Sequence, residues 1–297
     1  MDGLALLASV LYQLGTNAAF LLLCALGLIV ILGMMNIINL AHGELMMMGA
    51  YTATMAVQRG IPFPLAVLLA FVVVGLFGAV LERLIVRRFY GRELGALVVT
   101  WGLSLILAQG TLILLGPFMP AIQIPGGSVS LGQYSFSVYW LVMIAVAAAV
   151  VVLLWWLYNR TTFGLEARAT MQNAAMARAL GVDTERIYML TFSLGAGLAG
   201  LSGALLAPTT SIAPFMGQQF VAPAFITVVV GGATNVIAGA VGSSLLLSLV
   251  RTPVGFLFGA FLGLVALLFA ALVIIRLMPD GISAYLQRWH DRRTRLA

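Results

Sequence analysis

Amide and ionisable side chains are scarce in this sequence, so the stretches that gather them are the places to look for chemistry. The first is Gly33-Met34-Met35-Asn36-Ile37-Ile38-Asn39-Leu40-Ala41-His42-Gly43-Glu44, which sets two amides, an imidazole and a carboxylate between apolar runs. Such groups near hydrocarbon must face protein, water or one another. Asn36 and Asn39 admit two readings. They are elements of a gate or path where a helix breaks, or they start a helix at the membrane interface, with Asn39 as cap and Glu44 beside the positive helix end. For His42 and Glu44 a network that holds the break is preferred to contact with a solute. A metal site is not expected, because these two lie only two positions apart and the other histidine is His290.

The second stretch is the polar insertion at about 159–186. From Gly164 to Asp183 it is rich in Ala, Met, Leu and Arg, and Gly181 is well placed to end a helix, so a short amphipathic helix is expected along one membrane face. That helix rests on headgroups or serves as a knob that docks into a cleft of a cytoplasmic ATPase. Its Ala-rich face, which a groove can approach closely, favours docking through Arg168, Gln172, Asn173, Ala174, Ala175, Arg178, Leu180 and Gly181. The third stretch, Gly231-Gly232-Ala233-Thr234-Asn235, interrupts an apolar run. Gly and Asn at such a break are what transporters use to expose backbone to solute, so Gly231, Gly232 and Asn235 join the path candidates.

Other polar residues within apolar runs are few: Gln13, Asn17, Thr100, Ser104, Gln109, Thr191, Ser193 and Thr227. None is charged, and a path so lined suits a neutral or zwitterionic solute; Thr100 is counted with the gate. A proton-coupled carrier would show a mid-span acid and a voltage sensor a ladder of Arg, and neither pattern is present. Glu44 alone keeps an ion-coupled carrier or channel open as a different class. An intramembrane enzyme would have only His42 and Glu44 to work with. Phosphate-loop, zinc-protease and nucleophile-elbow motifs are absent, so any ATP with its Mg is expected on another chain and no cofactor on this one.

The elements that must position these residues follow from composition. Of 297 residues, 62% are hydrophobic and 8% charged, against about 25% charged in a soluble domain, so lipid must be the solvent. Continuous Leu, Val and Ala runs, without ten-residue alternation, predict helices and exclude a barrel. Spans are expected near 8–33, 38–57, 64–86, 95–115, 139–158 and 187–207, then a broken pair at 221–233 and 236–250, then 255–277. The fold class is therefore all-α: a polytopic transmembrane helical bundle of about eight to nine membrane segments, including a broken or re-entrant pair, in one domain over 1–297. Small residues recur at Gly195, Ala199 and Gly203 and at Gly239 and Ser243, a spacing that packs helices backbone to backbone.

All 15 basic residues are Arg. They bunch between spans, at Arg83, Arg87, Arg88 and Arg92, at Arg160, Arg168, Arg178 and Arg186, and at Arg288, Arg292, Arg293 and Arg295, as cytoplasmic loops do; nucleic acid is not implied. Loops 116–138 and 208–220 carry no charge and face outward. Parity then puts the N-terminus outside and the C-terminus in the cytoplasm if 221–250 crosses twice or forms a re-entrant hairpin, with Arg59 and Arg251 outward. No cleavable signal is expected from Met1-Asp2-Gly3, and Cys24 is the lone cysteine.

The run from Gly27 through Asn36-Ile37-Ile38-Asn39-Leu40-Ala41-His42-Gly43-Glu44 to Gly49-Ala50-Tyr51 resembles the signature of LivH-type permeases of branched-chain amino-acid ABC importers. The likeness continues through Thr100-Trp101-Gly102-Leu103-Ser104-Leu105, Ala179-Leu180-Gly181-Val182, the run from Thr191 to Gly203 and Val228-Val229-Val230-Gly231-Gly232. It covers about 15–281. Arg276-Leu277-Met278-Pro279-Asp280-Gly281 departs from the family's usual Arg-Pro-x-Gly. The resemblance implies an inner-membrane permease that pairs with a second homologous permease, two cytoplasmic ATPases and a periplasmic or extracellular solute-binding protein, and is embedded in lipid. Branched-chain or related neutral amino acids are the implied cargo. Thr100 to Leu105, Met171-Gln172-Asn173 and Ala224-Phe225 to Gly232 are similar also to urea and amide permeases of the same family. The loop at 165–185 matches the family's ATPase-docking region.

Overall fold

The computed structural model describes residues 2–131, 134–232 and 235–285. Ala233 and Thr234 of the third stretch, His290 and the C-terminal arginines therefore lie outside the described residues. The chain runs through α1 (Asp2–Met35), α2 (His42–Gln58), α3 (Phe63–Leu84), α4 (Glu93–Leu115), the strands β1 (Ser128–Leu131) and β2 (Tyr134–Ser137), then α5 (Val138–Arg160), α6 (Thr162–Gln172), α7 (Ala174–Ala179), α8 (Thr184–Leu206), α9 (Gln218–Gly231), α10 (Val236–Phe258) and α11 (Ala260–Leu277). Seven helices among the described residues are long and apolar enough to cross a membrane, α9 is a shorter apolar helix of 14 residues, and α2 has 17 residues. The protein is an all-α polytopic bundle, and each expected span has its helix. The loop at 116–138 differs from expectation in holding an antiparallel hairpin, Val129 opposite Phe136 and Ser130 opposite Ser135. Its alternation of Ser with larger residues is too short to stand out from a loop.

Lipid as solvent shows in the side chains left outside. Leu94, Ile113 and Leu114 of α4 and Phe261, Phe269 and Leu272 of α11 are largely exposed, whereas the polar Thr54, Thr191, Ser202 and Ser248 are buried. In water this would be inverted.

Two compact units make up the chain. The first takes residues 1–25, 124–151 and 223–297. Its core joins Leu21, Val230, Leu247, Leu267, Ala271 and Ile282, and α10 pairs with α11 across Gly255 and Gly263, whose backbones touch. Ser248 donates to the Leu14 carbonyl at 2.6 Å and Asn17 to the Thr252 hydroxyl at 3.1 Å, which ties α1 to α10; the Tyr12 hydroxyl donates to the Ser137 carbonyl and ties α1 to the hairpin.

The second unit takes residues 26–123 and 152–222. Its centre is α8, whose small residues receive α2 and α3. A Cβ at Gly203 would sit 1.8 Å from the Met46 carbonyl oxygen, one at Gly49 2.0 Å from that of Gly200, and one at Gly78 2.3 Å from the Ala196 methyl. The stripe read from the sequence as close packing therefore packs closely, and van der Waals contact between backbones replaces the hydrophobic drive that lipid removes. The 119–212 bridge, with Met119 N–H donating to the Ile212 carbonyl at 3.1 Å, joins the two uncharged loops.

Candidate functional site

The break between α1 and α2 is built on one stripe of α4. Glu93, Thr100 and Ser104, seven and four residues apart, share a stripe, and each meets the 36–44 segment. Asn36 donates to the Glu93 carboxylate at 2.6 Å. Leu40 N–H donates to the Thr100 hydroxyl at 3.2 Å, and that hydroxyl's hydrogen is shared between the carbonyls of Ile38, at 3.3 Å, and Leu97, at 3.1 Å. Ser104 hydrogen-bonds the Glu44 carboxyl. Asn36 itself stands in the left-handed region at φ 51°, which asparagine tolerates because its short side chain bonds locally. Asn39 does not cap α2: the cap position is Ala41, without a side-chain bond, and Asn39 Oδ1 instead accepts from Ala41 N–H at 3.1 Å. Glu44 stands in the first turn, as expected.

Asn39, His42 and Glu44 are buried completely, His42 in the space that Gly27 leaves open. Asn39 Nδ2, Glu44 Oε2 and the Tyr51 hydroxyl, one helical stripe along α2 from Glu44, have no hydrogen-bond partner among the described residues. A buried polar atom left so costs about 1–3 kcal/mol.

The polar insertion folds as two short helices, not one. Asn173 ends α6 and caps α7 by accepting from Met176 N–H at 3.0 Å, and Thr161 caps α6 in the same way from Gly164 N–H. Gly181, at φ 90°, follows Leu180, the cap residue of α7, and takes the left-handed turn that ends the knob. Two of the sequence candidates serve the knob's anchoring. Arg168 donates to the Tyr158 carbonyl and to Asn159, and Arg178 to the Thr184 hydroxyl at 2.9 Å. What the knob presents outward is Gln172, Asn173, Ala175 and Gly181 with an apolar row the sequence reading passed over: Leu165, Met171 and Met176 beside Leu180, which is 78% exposed. Helical spacing was the available signal for part of this row, since Met176 and Leu180 are four apart.

The base of the knob is tied to α3. Arg87 pairs with Glu185, Tyr90 donates to Glu82, and the Tyr90 and Tyr188 rings meet at 4.8 Å. Burial, and then the Glu82 carboxylate it donates to, push the Tyr90 phenol well above its ordinary range, so it stays a donor. A cavity of about 250 Å³ beside this tie is lined by both signs of charge, among them Arg83, Asp183 and Arg186. The ion pair is largely exposed and contributes at most about 1 kcal/mol, so its role is to hold position.

The third stretch is a tight corner. Gly232, at φ 76°, lies against the backbone of Asp280 and Gly281, itself at φ 79°; Gly231 lies against Gly239, and Asn235 caps α10 by accepting from Ala238 N–H at 3.1 Å. Gly231, Gly232 and Asn235 are thus remote in sequence and in unit from the 36–44 break.

One expectation is overturned by α10. The helix continues through Pro253 to Phe258, so Arg251 lies within a span and not in an outward loop. Proline reads as a breaker, yet in a membrane helix neighbours and local adjustment satisfy the freed carbonyl. A charged residue therefore does stand inside the membrane segments.

A multi-pass helical bundle with a helix break held at buried polar residues and a knob between two spans is a polytopic membrane protein. Residues 10–277 match the family described as the permease component of branched-chain amino acid transport systems. The chain is 29% identical over 241 residues to the high-affinity branched-chain amino acid transport system permease protein BraD of Pseudomonas aeruginosa, covering 75% of this chain and 78% of that one. It is 27% identical over 286 residues to LivH of the same kind of system in Salmonella typhimurium, covering 88% and 90%. A third relative, the autoinducer 2 import system permease protein LsrC of Salmonella paratyphi B, is 28% identical over 72% of this chain and 60% of that protein. The chain belongs to the family of branched-chain amino acid transport permease components. It is a membrane-spanning subunit of an ABC importer and not itself an enzyme.

Proposed function

We propose that this chain carries branched-chain or related neutral amino acids across the bacterial inner membrane, with its N-terminus outside and its C-terminus in the cytoplasm. It works beside a second homologous permease, two cytoplasmic ATPases that hold ATP and Mg, and an extracytoplasmic solute-binding protein. The observation that carries this reading is the family match over residues 10–277. The α6–α7 knob supports the ATPase partnership: it is rigidly capped, anchored through Arg168 and Arg178, and presents Gln172, Asn173, Ala174, Ala175, Leu180 and Gly181 on a surface that an ATPase cleft can grip. ATP-driven closure of the partners moves the knob, and α5 and α8, between which it lies in sequence, pass the motion to the spans.

Asn36, Asn39, His42, Glu44 and Thr100 form the gate in this reading, with the break of α1 held against α4. The corner at Gly231, Gly232 and Asn235 is a hinge between α9 and α10. A urea or short-chain amide cargo is the second reading, favoured by the likeness of Thr100 to Leu105, Met171-Gln172-Asn173 and Ala224-Phe225 to Gly232 to urea and amide permeases; relatives with other cargoes, such as the autoinducer 2 permease, mean that family membership alone leaves the cargo open.

The test is purification of the tagged chain in detergent, identification of the co-purifying subunits, and ATPase assay with the binding protein plus Leu, Val or urea. Recovery of an ATPase that is lost in Ala175→Arg and Gly181→Arg is expected, with stimulation by Leu or Val. A chain that purifies alone and moves solute in liposomes without ATP would refute the reading, and stimulation by urea alone would give it the other cargo.

A further inference from the structure

Arg251 is an intramembrane cation that pairs with no carboxylate among the described residues. It stands in α10, eight residues before Gly259, and its guanidinium lies 5.5 Å from the centre of the Phe20 ring, halfway along the apolar span Leu6–Met35. Cys24, one turn further along α1, is within electrostatic reach. Among the described residues no carboxylate pairs with it and no hydrogen bond takes up its five N–H groups. The ring supports one face of the plane, a cation–π contact within the usual 6 Å, and leaves the donor edge open. Arg251 is only half-buried, so this edge can be approached.

The neighbours add the opposite character. Asn17 lies one turn before Phe20 on α1 and donates to the hydroxyl of Thr252, the residue after Arg251, at 3.1 Å, which leaves the Asn17 carbonyl oxygen as an acceptor. A charge at this depth is retained where it lines a solute path or meets a counter-charge. Snorkelling does not account for it, because the guanidinium is held over a residue at mid-span.

We propose that Arg251 receives the carboxylate of the transported amino acid during its passage, with Phe20 holding the guanidinium plane and Asn17 accepting from the ammonium group. The inference rests on the amino-acid reading given above and adds a contact residue to it. A planar guanidinium offers a carboxylate two parallel hydrogen bonds, which an ammonium at the same position does not.

The experiment uses the full complex in proteoliposomes, with binding protein and leucine both saturating, so that affinity in the binding protein does not set the rate. Uptake and binding-protein-stimulated ATPase are read together for wild type, Arg251→Gln and Arg251→Lys. Wild type is expected to take up leucine; in Arg251→Gln uptake falls at least tenfold with stimulated ATPase within twofold of wild type, and in Arg251→Lys it falls at least threefold with ATPase unchanged. Full uptake in either variant overturns the proposal while the amino-acid reading stands. If Arg251→Gln fails to assemble and Arg251→Lys restores both assembly and full uptake, the arginine pairs with a carboxylate of another subunit and the proposal is also overturned. Wild type that moves urea and not leucine sinks the amino-acid reading first, and this inference with it.

Discussion

At the residue scale, the break between α1 and α2 depends on a hydroxyl that serves three backbone groups. Thr100 accepts from Leu40 N–H and shares its hydrogen between the carbonyls of Ile38 and Leu97. Thr100→Val keeps the shape and leaves the Leu40 amide and the Ile38 carbonyl without their partner, a loss of about 1–3 kcal/mol for groups cut off from water. The expected result is a lower thermal midpoint of the detergent-purified chain and proteolysis within 36–41. Thr100→Ser should restore both, since it keeps the hydroxyl. Asn36 gives a second handle. At φ 51° a glycine is free of strain and a β-branched residue is not, so Asn36→Gly is expected to fold and Asn36→Val to lose about 1–2 kcal/mol, read from the same melting curves.

At the element scale, packing and docking separate cleanly. Gly49 and Gly203 let α2 lie on α8 with backbones in contact, so even one methyl would overlap a carbonyl. Gly203→Ala is expected to abolish recovery of folded chain from membranes, measured by size-exclusion profile in detergent, whereas Gly102→Ala, where nothing lies near the added carbon, leaves it unchanged. On the knob the opposite holds. Leu180 and Met176 project outward, so Leu180→Asp and Met176→Asp should leave the melting curve unchanged and reduce the co-purified ATPase at least fivefold.

These elements were legible in the sequence to unequal degrees. Apolar length alone places every span, because lipid allows no other structure for such runs. The stripe from Gly195 to Gly203 was readable because helix packing in lipid needs small residues at that spacing. The break was readable as a break, but not that Asn39 would bond Ala41 and that α4 would clamp it, since this depends on tertiary neighbours. Arg251 was placed outside the spans because Pro253 resembles a terminator, whereas α10 runs on through it to Phe258. Met171 and Met176 were missed because alanines were taken as the signal.

At the scale of the whole molecule, orientation turns on α9 and α10. A 14-residue helix rises about 21 Å, short of the roughly 30 Å hydrocarbon core, whereas the 23 residues of α10 suffice for a crossing of their own. The corner at Gly232, packed on Asp280 and Gly281, brings the start of α10 to the end of α11, as a hairpin of those two helices requires. The proposed orientation has the chain reverse between α9 and α10, which with an outward N-terminus requires a cytoplasmic C-terminus, as the arginine-rich end of the sequence favours. Cys24 makes this measurable. It is the sole cysteine and fully buried, so Cys24→Ser gives a background free of thiols. In that background Asp2→Cys is expected to react with an impermeant maleimide on intact cells, and Thr294→Cys only after permeabilisation. Labelling of both from outside would mean that α9 and α10 together make a single crossing, which would put the basic tail outside and require the knob and tail to lie on opposite faces.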